Sequence, residues 1–235
     1  MISILILTLN EEANLPSCFK SVDWSDDVVV FDSFSKDKTV EVAQSLGAQV
    51  IQRKFDNWAA HENWAMTEIA FKNPWVFYLD ADEQMTPELW DEILAIAKNP
   101  SEERVAFYCG RKNFFMDKWL KHAMPPGMIM RYFRPEKVRF ERLVNPTSVI
   151  DGPHGYLKGM FIHYNFSKGI REWRLKHNSY SQMEAAERHK VMHGELGSLP
   201  EIFRRVRGND KATRRKAISF FVPFRSFARF VSSGR

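Results

Sequence analysis

The chain has 235 residues, 44% hydrophobic and 27% charged, a composition ordinary for one large globular domain or a domain with an appendage. No apolar run approaches the ~20 residues that span a bilayer, and Met1–Leu9 lacks the basic start and cleavage site of a signal peptide. Two widely separated cysteines, Cys18 and Cys109, argue against a disulfide framework or a zinc site and fit core positions in a reducing compartment.

Ile2–Leu9 is a short apolar run that predicts a central parallel strand, ending in the polar turn Thr8-Leu9-Asn10-Glu11-Glu12. A helix is expected around Asn14–Val22. Asp27–Phe31 is a second apolar run and again ends in an acid, Asp32. After the polar stretch Ser33–Lys38, Asp37 is placed to cap a helix that runs to Leu46 and stops at Gly47. Ala48–Gln52 reads as a third strand and Asn57–Phe71 as a helix. The fourth strand, Trp75–Leu79, runs straight into Asp80-Ala81-Asp82-Glu83. Thr86, Pro87 and Glu88 then carry helix-start signals.

Four strand–helix alternations in about 100 residues predict an α/β fold with a parallel sheet and helices on both faces. Right-handed crossovers bring the strands' carboxyl ends to one edge, where open sheets bind ligands. Asp32 and the Asp80/Asp82 pair therefore converge. Two hard oxygen donors there suit Mg2+ or Mn2+ on a diphosphate, although Asp-x-Asp alone equally describes a solvated acidic turn. Neither G-x-G-x-x-G nor G-x-x-x-x-G-K-[ST] occurs, so the dinucleotide and P-loop solutions are disfavoured.

From Glu103 the pattern changes. Val105–Tyr108, Met128–Phe133, Ser148–Ile150 and Tyr156–Tyr164 read as strands among Gly/Pro-rich turns. The aromatic segment Phe114–His122 reads as core or loop packing rather than a sugar platform. Gly169 to about Lys190 is a long charged helix, and Gly194, Gly197 and Pro200 mark a linker. Of the net charge of +5, residues 201–235 carry +8, from ten Lys/Arg against two acids, which leaves −3 for the rest. This basic, Phe-rich tail suits an anionic membrane surface, or a helix docked on the body. The acidic body gives nucleic acid no supporting face, so no nucleic acid is expected.

Thr8-Leu9-Asn10-Glu11-Glu12 with Asn14-Leu15, Val28–Ser33, Phe55-Asp56-Asn57-Trp58-Ala59-Ala60 and Leu79–Glu83, in this order, resemble a bacterial family 2 glycosyltransferase with the GT-A fold. Gly155–Lys158, His163-Tyr164 and Pro223–Phe227 are similar to its lipopolysaccharide-core and surface-polysaccharide subgroup. The resemblance implies a GT-A, Rossmann-like sheet with a nucleotide-sugar half (residues 1–100), an acceptor half with a long helix (101–193) and a membrane-associating tail (194–235). It implies inverting transfer from a nucleotide-diphosphate sugar, a UDP-sugar being favoured, to a lipid-linked or lipopolysaccharide-type acceptor at the cytoplasmic membrane face. Thr8, Asn10, Glu11 and Asp32 would line the nucleoside pocket. Asp82 would hold the metal, and Asp80 the ribose or a metal-bound water. Arg131 and Arg134, in Arg-Tyr-Phe-Arg-Pro, would add positive charge at the diphosphate, or form ordinary ion pairs.

The sequence also departs from that pattern. The family's Asp-Ser-Gly-Ser-x-Asp-Gly-Thr is Asp32-Ser33-Phe34-Ser35-Lys36-Asp37-Lys38-Thr39, with both glycines lost. The subgroup's Val-His-Glu is Val144-Asn145-Pro146. A general base is still required, and Glu141 and Asp151 are the candidates, with His154 and His163 behind them. The chain stops at Ser232-Ser233-Gly234-Arg235 where the subgroup continues with an apolar segment, so a shortened version is expected. Two rivals stand: a degenerate, non-catalytic GT-A binding module, and a sugar nucleotidyltransferase. The second lacks the basic, Gly-rich triphosphate loop it would need.

Overall fold

The computed structural model describes residues 1–122 and 126–190. The basic tail, its linker and Met124-Pro125 lie outside the described residues, and the expectations placed on them with it. The chain divides into two compact units, Met1–Ser181 and Gln182–Arg235.

In the first unit, β1 (Ser3–Thr8), β2 (Val28–Asp32), β3 (Gln49–Gln52) and β4 (Val76–Asp80) alternate with α1 (Leu15–Lys20), α2 (Thr39–Ser45) and α3 (Trp58–Glu68). These four strands are parallel, in the order β3-β2-β1-β4. β1 is buried along its whole length. Ile4 and Ile6 pack with α1 and α2 on one face, and Leu5 and Leu7 with α3 on the other. Apolar side chains on both faces are why a central parallel strand reads as an uninterrupted hydrophobic run. The helix after β4, α4 (Pro87–Ala97), starts as expected, with Thr86 accepting from the Leu89 amide.

The sheet then continues with mixed pairing. β8 (Met128–Phe133) runs antiparallel to β4 and to β6 (Ala106–Phe115), and β11 (His154–His163) runs parallel to β6. The two expected halves therefore share one sheet. Three short pieces go unread in the sequence. β5 (Glu83–Gln84) pairs with the end of β11, β7 (Lys118–Trp119) folds back on β6, and β9 (Val138–Glu141) pairs with β10 (Thr147–Ile150). Phe114 and Phe115 extend β6 beyond the expected strand Val105–Tyr108, because β11 and β7 offer partners that the local sequence does not reveal.

β11 carries a register shift between Tyr156 and Met160. The Lys158 and Gly159 amides there donate to Glu92 of α4 at 2.9 and 2.8 Å. A Cβ on Gly159 would come within 2.6 Å of the Leu89 backbone, so only glycine permits this approach of strand and helix. Beyond β11, α5 (Gly169–Lys190) starts in the first unit.

A carboxylate-rich site at the carboxyl edge of the sheet

Register alone collects the acids. Thr8 is the cross-strand partner of Asp32, and Leu7 of Asp80, so three strand ends meet on one edge. Asp32 is fully buried, and its carboxylate accepts from the Thr8 hydroxyl at 2.9 Å, the Ser35 amide at 2.9 Å, the Gln52 amide at 2.9 Å and the Ser35 hydroxyl. It thereby orders the following loop. That loop is laced to the first one: Lys36 N donates to Asn10 Oδ1 at 2.7 Å, Lys38 N to Glu12 at 2.8 Å and Glu11 N to the Thr39 hydroxyl at 2.7 Å. Phe34, where the family pattern has glycine, adopts φ +61° and remains exposed. The left-handed turn is kept without the residue that normally makes it.

Asp80 and Glu83 share one cation. Arg131 Nη2 donates to Asp80 Oδ2 at 2.9 Å and to Glu83 Oε1 at 2.8 Å. Arg131 and Glu83 are buried, and the guanidinium lies 4.2 Å over the Tyr78 ring. Burial pushes the Glu83 carboxyl up, against the pull of Arg131. β8 delivers this arginine because Tyr132 pairs with Phe77, which sets Arg131 beside Tyr78.

Behind Asp80 lies Glu62 of α3, 2% exposed, taking the Tyr78 hydroxyl at 2.9 Å, with its other oxygen unpartnered among the described residues. Burial raises its pKa to about 8. The Tyr78 hydroxyl is also 3.3 Å from Asp80 Oδ1. One proton cannot serve two carboxylates. A protonated Glu62 donates to Tyr78 and leaves the phenol proton for Asp80. On the same helix His61 is stacked 4.2 Å from Phe31, and burial together with the Arg53 charge lowers its pKa to about 4.

Asp82 has a different neighbour. His163 Nε2 is 3.5 Å from Asp82 Oδ2, while His163 Nδ1 is 2.9 Å from Asn113 Oδ1. Burial would raise Asp82, but His163 and the Lys176 charge outweigh it and hold the carboxyl below its usual range. With Nδ1 committed to Asn113 Oδ1, Nε2 is the ring atom turned toward Asp82: protonated, it faces the carboxylate as a donor, and once a cation displaces that proton its lone pair becomes a ligand. An orienting partner on the second ring nitrogen is the usual support of a metal-binding histidine. Asp82 and His163 therefore fit as two protein donors to a small divalent cation whose other ligands come from phosphate and water. Among the described residues no three His, Cys, Asp or Glu side chains form a closed cage.

The turn that leads into α5 closes the edge. Tyr164 N donates to Asp82 O at 2.8 Å, and Lys168 Nζ lies 2.5 Å from Glu11 Oε1. A pocket of about 280 Å³ beside Asp82 is lined by Asn14, Ser17, Gln84, Tyr164 and Ser167.

Thr8, Asn10, Glu11, Asp32, Asp80, Asp82 and Arg131 thus come together. Four other candidates, Arg134, Asp151, His154 and Glu141, do not join them. Arg134 lies 4.5 Å over the ring of Trp75, the residue before β4, at the opposite edge. Asp151 is also there, its amide on Lys137 O at 2.8 Å, just before His154 pairs with Ala106 at the start of β6. An arginine three residues from Arg131 along an extended strand is carried about 10 Å further down it. Glu141 is exposed and paired with Arg139 at 2.5 Å. Residues unassigned from sequence are Glu83, Glu62, Asn113, Lys168 and Lys176. Glu83 alone had a signal, its place directly after Asp-x-Asp.

The family model Glycosyl transferase family 2 matches residues 3–165. An uncharacterized glycosyltransferase of Rickettsia bellii is 39% identical over 108 residues, 46% of this chain and 36% of that protein. One of Rickettsia typhi is 30% identical over 199 residues, 79% of this chain and 67% of its own length. A lipopolysaccharide core biosynthesis glycosyltransferase, LpsC of Rhizobium meliloti, is 27% identical over 217 residues, 87% of this chain and 76% of that one. The chain thus spans about a third of the first of these relatives and two thirds or more of the other two.

Proposed function

The chain belongs to glycosyltransferase family 2, and from that membership we propose that it transfers a sugar, with inversion, from a nucleotide-diphosphate sugar to a lipid-linked or lipopolysaccharide-type acceptor. A UDP-sugar is the favoured donor and Mg2+ or Mn2+ the cofactor. The observation that carries this reading is the convergence of Asp32, Asp80 and Asp82 on one sheet edge with His163 beside Asp82. In it the two laced loops of Thr8, Asn10, Glu11 and Asp32 receive the nucleoside. Asp82 and His163 hold the cation, and Asp80, fixed by Arg131, faces the ribose or a cation-bound water. The cation supplies positive charge against the negative charge that builds on the departing diphosphate. Of the two candidate bases Asp151 lies at the wrong edge; Glu141, although outside the cluster, is the nearer, because the loop after it reaches the N-terminus of α3, where Leu143 O accepts from Trp58 N at 3.2 Å.

The likeness to LpsC supports a lipopolysaccharide-type acceptor. The basic tail, residues 201–235, supports work at the anionic cytoplasmic face of a membrane. A second reading, a non-catalytic binding module, is favoured by the engagement of both Asp32 and Asp80 with the chain's own donors.

The test is a thermal-shift panel of UDP, GDP, dTDP and CMP, with and without Mn2+, followed by donor-sugar transfer or hydrolysis. One nucleotide should stabilise the protein in a metal-dependent way, and Asp82→Ala should abolish the shift and lower turnover by roughly 100-fold or more. No shift with any nucleotide, in folded protein, would sink the reading. A shift without turnover would select the binding module.

A further inference from the structure

We propose that Lys176 of α5, beyond the residues matched to the family, grips the donor's diphosphate and makes the site select nucleoside diphosphates over monophosphates. The proposal rests on the nucleotide-sugar reading of the edge and names a residue that reading leaves unassigned.

The placement comes from contacts at both sides of Lys176. On the N-terminal side, Tyr164 is bonded to Asp82 and Lys168 to Glu11, so α5 departs from directly above the acids. On the C-terminal side, Tyr180 meets Trp58 ring to ring, with centroids 6.3 Å apart. Trp58 is the first residue of α3, which follows β3, so it too stands at the carboxyl edge. Residues four apart share a helix face. Lys176 therefore points to the same side as Tyr180, and its ammonium lies 5.9 Å from that ring's centroid. Within the first unit, α5 crosses the edge from Glu11 to α3 with Lys176 between.

Charge accounting leaves this lysine available to a ligand, while the other two cations seated against these acids are already held. Arg131 is buried and held by Asp80 and Glu83, and Lys168 is held by Glu11. Lys176 is exposed and, among the described residues, makes no carboxylate ion pair within 4.0 Å. Partial desolvation lowers its pKa, but the charges of Asp82, Tyr180, Asp80 and Glu11 outweigh this, so it stays protonated. A diphosphate brought in with one divalent cation still carries net negative charge toward an edge lined with carboxylates. An ammonium above that edge offsets it, as a point charge that needs no fixed hydrogen-bond geometry.

The experiment is calorimetric titration of the whole chain with UDP, UMP and uridine, each with Mn2+, on wild type, Lys176→Met, Lys176→Arg and Lys20→Met. GDP or dTDP, with the matching monophosphate and nucleoside, replaces the set if the thermal panel selects it. Lys20 ends α1, away from this edge, and serves as the charge-matched control. Lys176→Met should bind UDP roughly 10-fold to 100-fold more weakly and uridine unchanged, with a much smaller loss for UMP. Lys176→Arg should restore most of the affinity, and Lys20→Met should equal wild type. Equal UDP affinity in Lys176→Met and wild type overturns the proposal. So does a uniform loss across UDP, UMP and uridine, which marks a structural role. Wild type that binds none of the nucleotides overturns the nucleotide-sugar reading itself, and the proposal with it.

Discussion

The two halves of the sheet build the site in opposite ways. From β1 to α4 each chemical group sits at the end of its own strand, and parallel register does the gathering: Thr8 beside Asp32, Leu7 beside Asp80. From β6 to β11 no strand end announces a function. Arg131 lies inside β8, Asn113 inside β6 and His163 at the last position of β11, and each acquires meaning only from a partner about 50 residues away. The first half supplies negative charge. The second supplies the cation and the orienting groups that make that charge tolerable. A site of this kind is half local and half topological, and removing the topological half should hurt folding before it hurts binding.

That expectation is sharpest at Arg131. Arg131→Met keeps much of the apolar stem but leaves Glu83 and Asp80 with no counter-charge at a buried position. Stripping one partner from a buried ion pair costs about 3–5 kcal/mol. Urea denaturation should show a loss of that size, and adding Glu83→Gln should recover part of it. A loss under about 1 kcal/mol would mean that water, not Arg131, solvates these acids.

The same asymmetry explains what could be read in advance. β1, β2 and β4 are legible because each is buried on both faces and ends abruptly in polar residues, which is a local pattern. Thr86-Pro87 is legible because a capping hydroxyl and a fixed φ act within one turn. The role of His163 is not legible, because it depends on β11 pairing with β6 at Asn113 and with β5 at Glu83. Arg134 was a false partner of Arg131 for a geometric reason. The motif groups them in sequence, and an extended strand separates them toward opposite edges. Phe34 shows the reverse failure. Its sequence reads as a broken loop, but Asp32 and Asn10 hold the loop by hydrogen bonds that owe nothing to residue 34.

Glu62 tests how far the electrostatics of the two halves are joined. Its folded pKa, raised by burial to about 8 from 4.5, means the native state holds a proton that the unfolded chain releases. Stability from this group is present at low pH, is lost as pH rises from 4.5 to 8 and is level above that. Glu62→Gln removes the dependence. The stability difference between variant and wild type should therefore grow in favour of Glu62→Gln from pH 5 to pH 8, by on the order of 2–4 kcal/mol. His61, kept neutral by burial and Arg53, gives an opposite slope between 6.5 and about 4, but it is present in both proteins and cancels in the difference. Parallel stability curves would show Glu62 ionised in the fold, with Arg131 reaching it across Tyr78.

The smallest effect belongs to Phe34, and it bears on the local half alone. A bulky side chain at φ +61° costs roughly 1–2 kcal/mol of backbone strain. Glycine removes that strain but adds about 0.5–1 kcal/mol of unfolded-state entropy. Because the ring is 52% exposed, its burial does little to reverse the balance. Phe34→Gly should thus be neutral to stabilising, by no more than about 1 kcal/mol in a thermal or urea melt. Nucleotide affinity should be unchanged, since Asp32 and Asn10 retain their bonds to residues 35 and 36. A clear loss of stability would mean the ring is packed in solution. Lost affinity in a protein of unchanged stability would mean that the phenyl group, standing where the family pattern has glycine, is itself part of the nucleotide's wall.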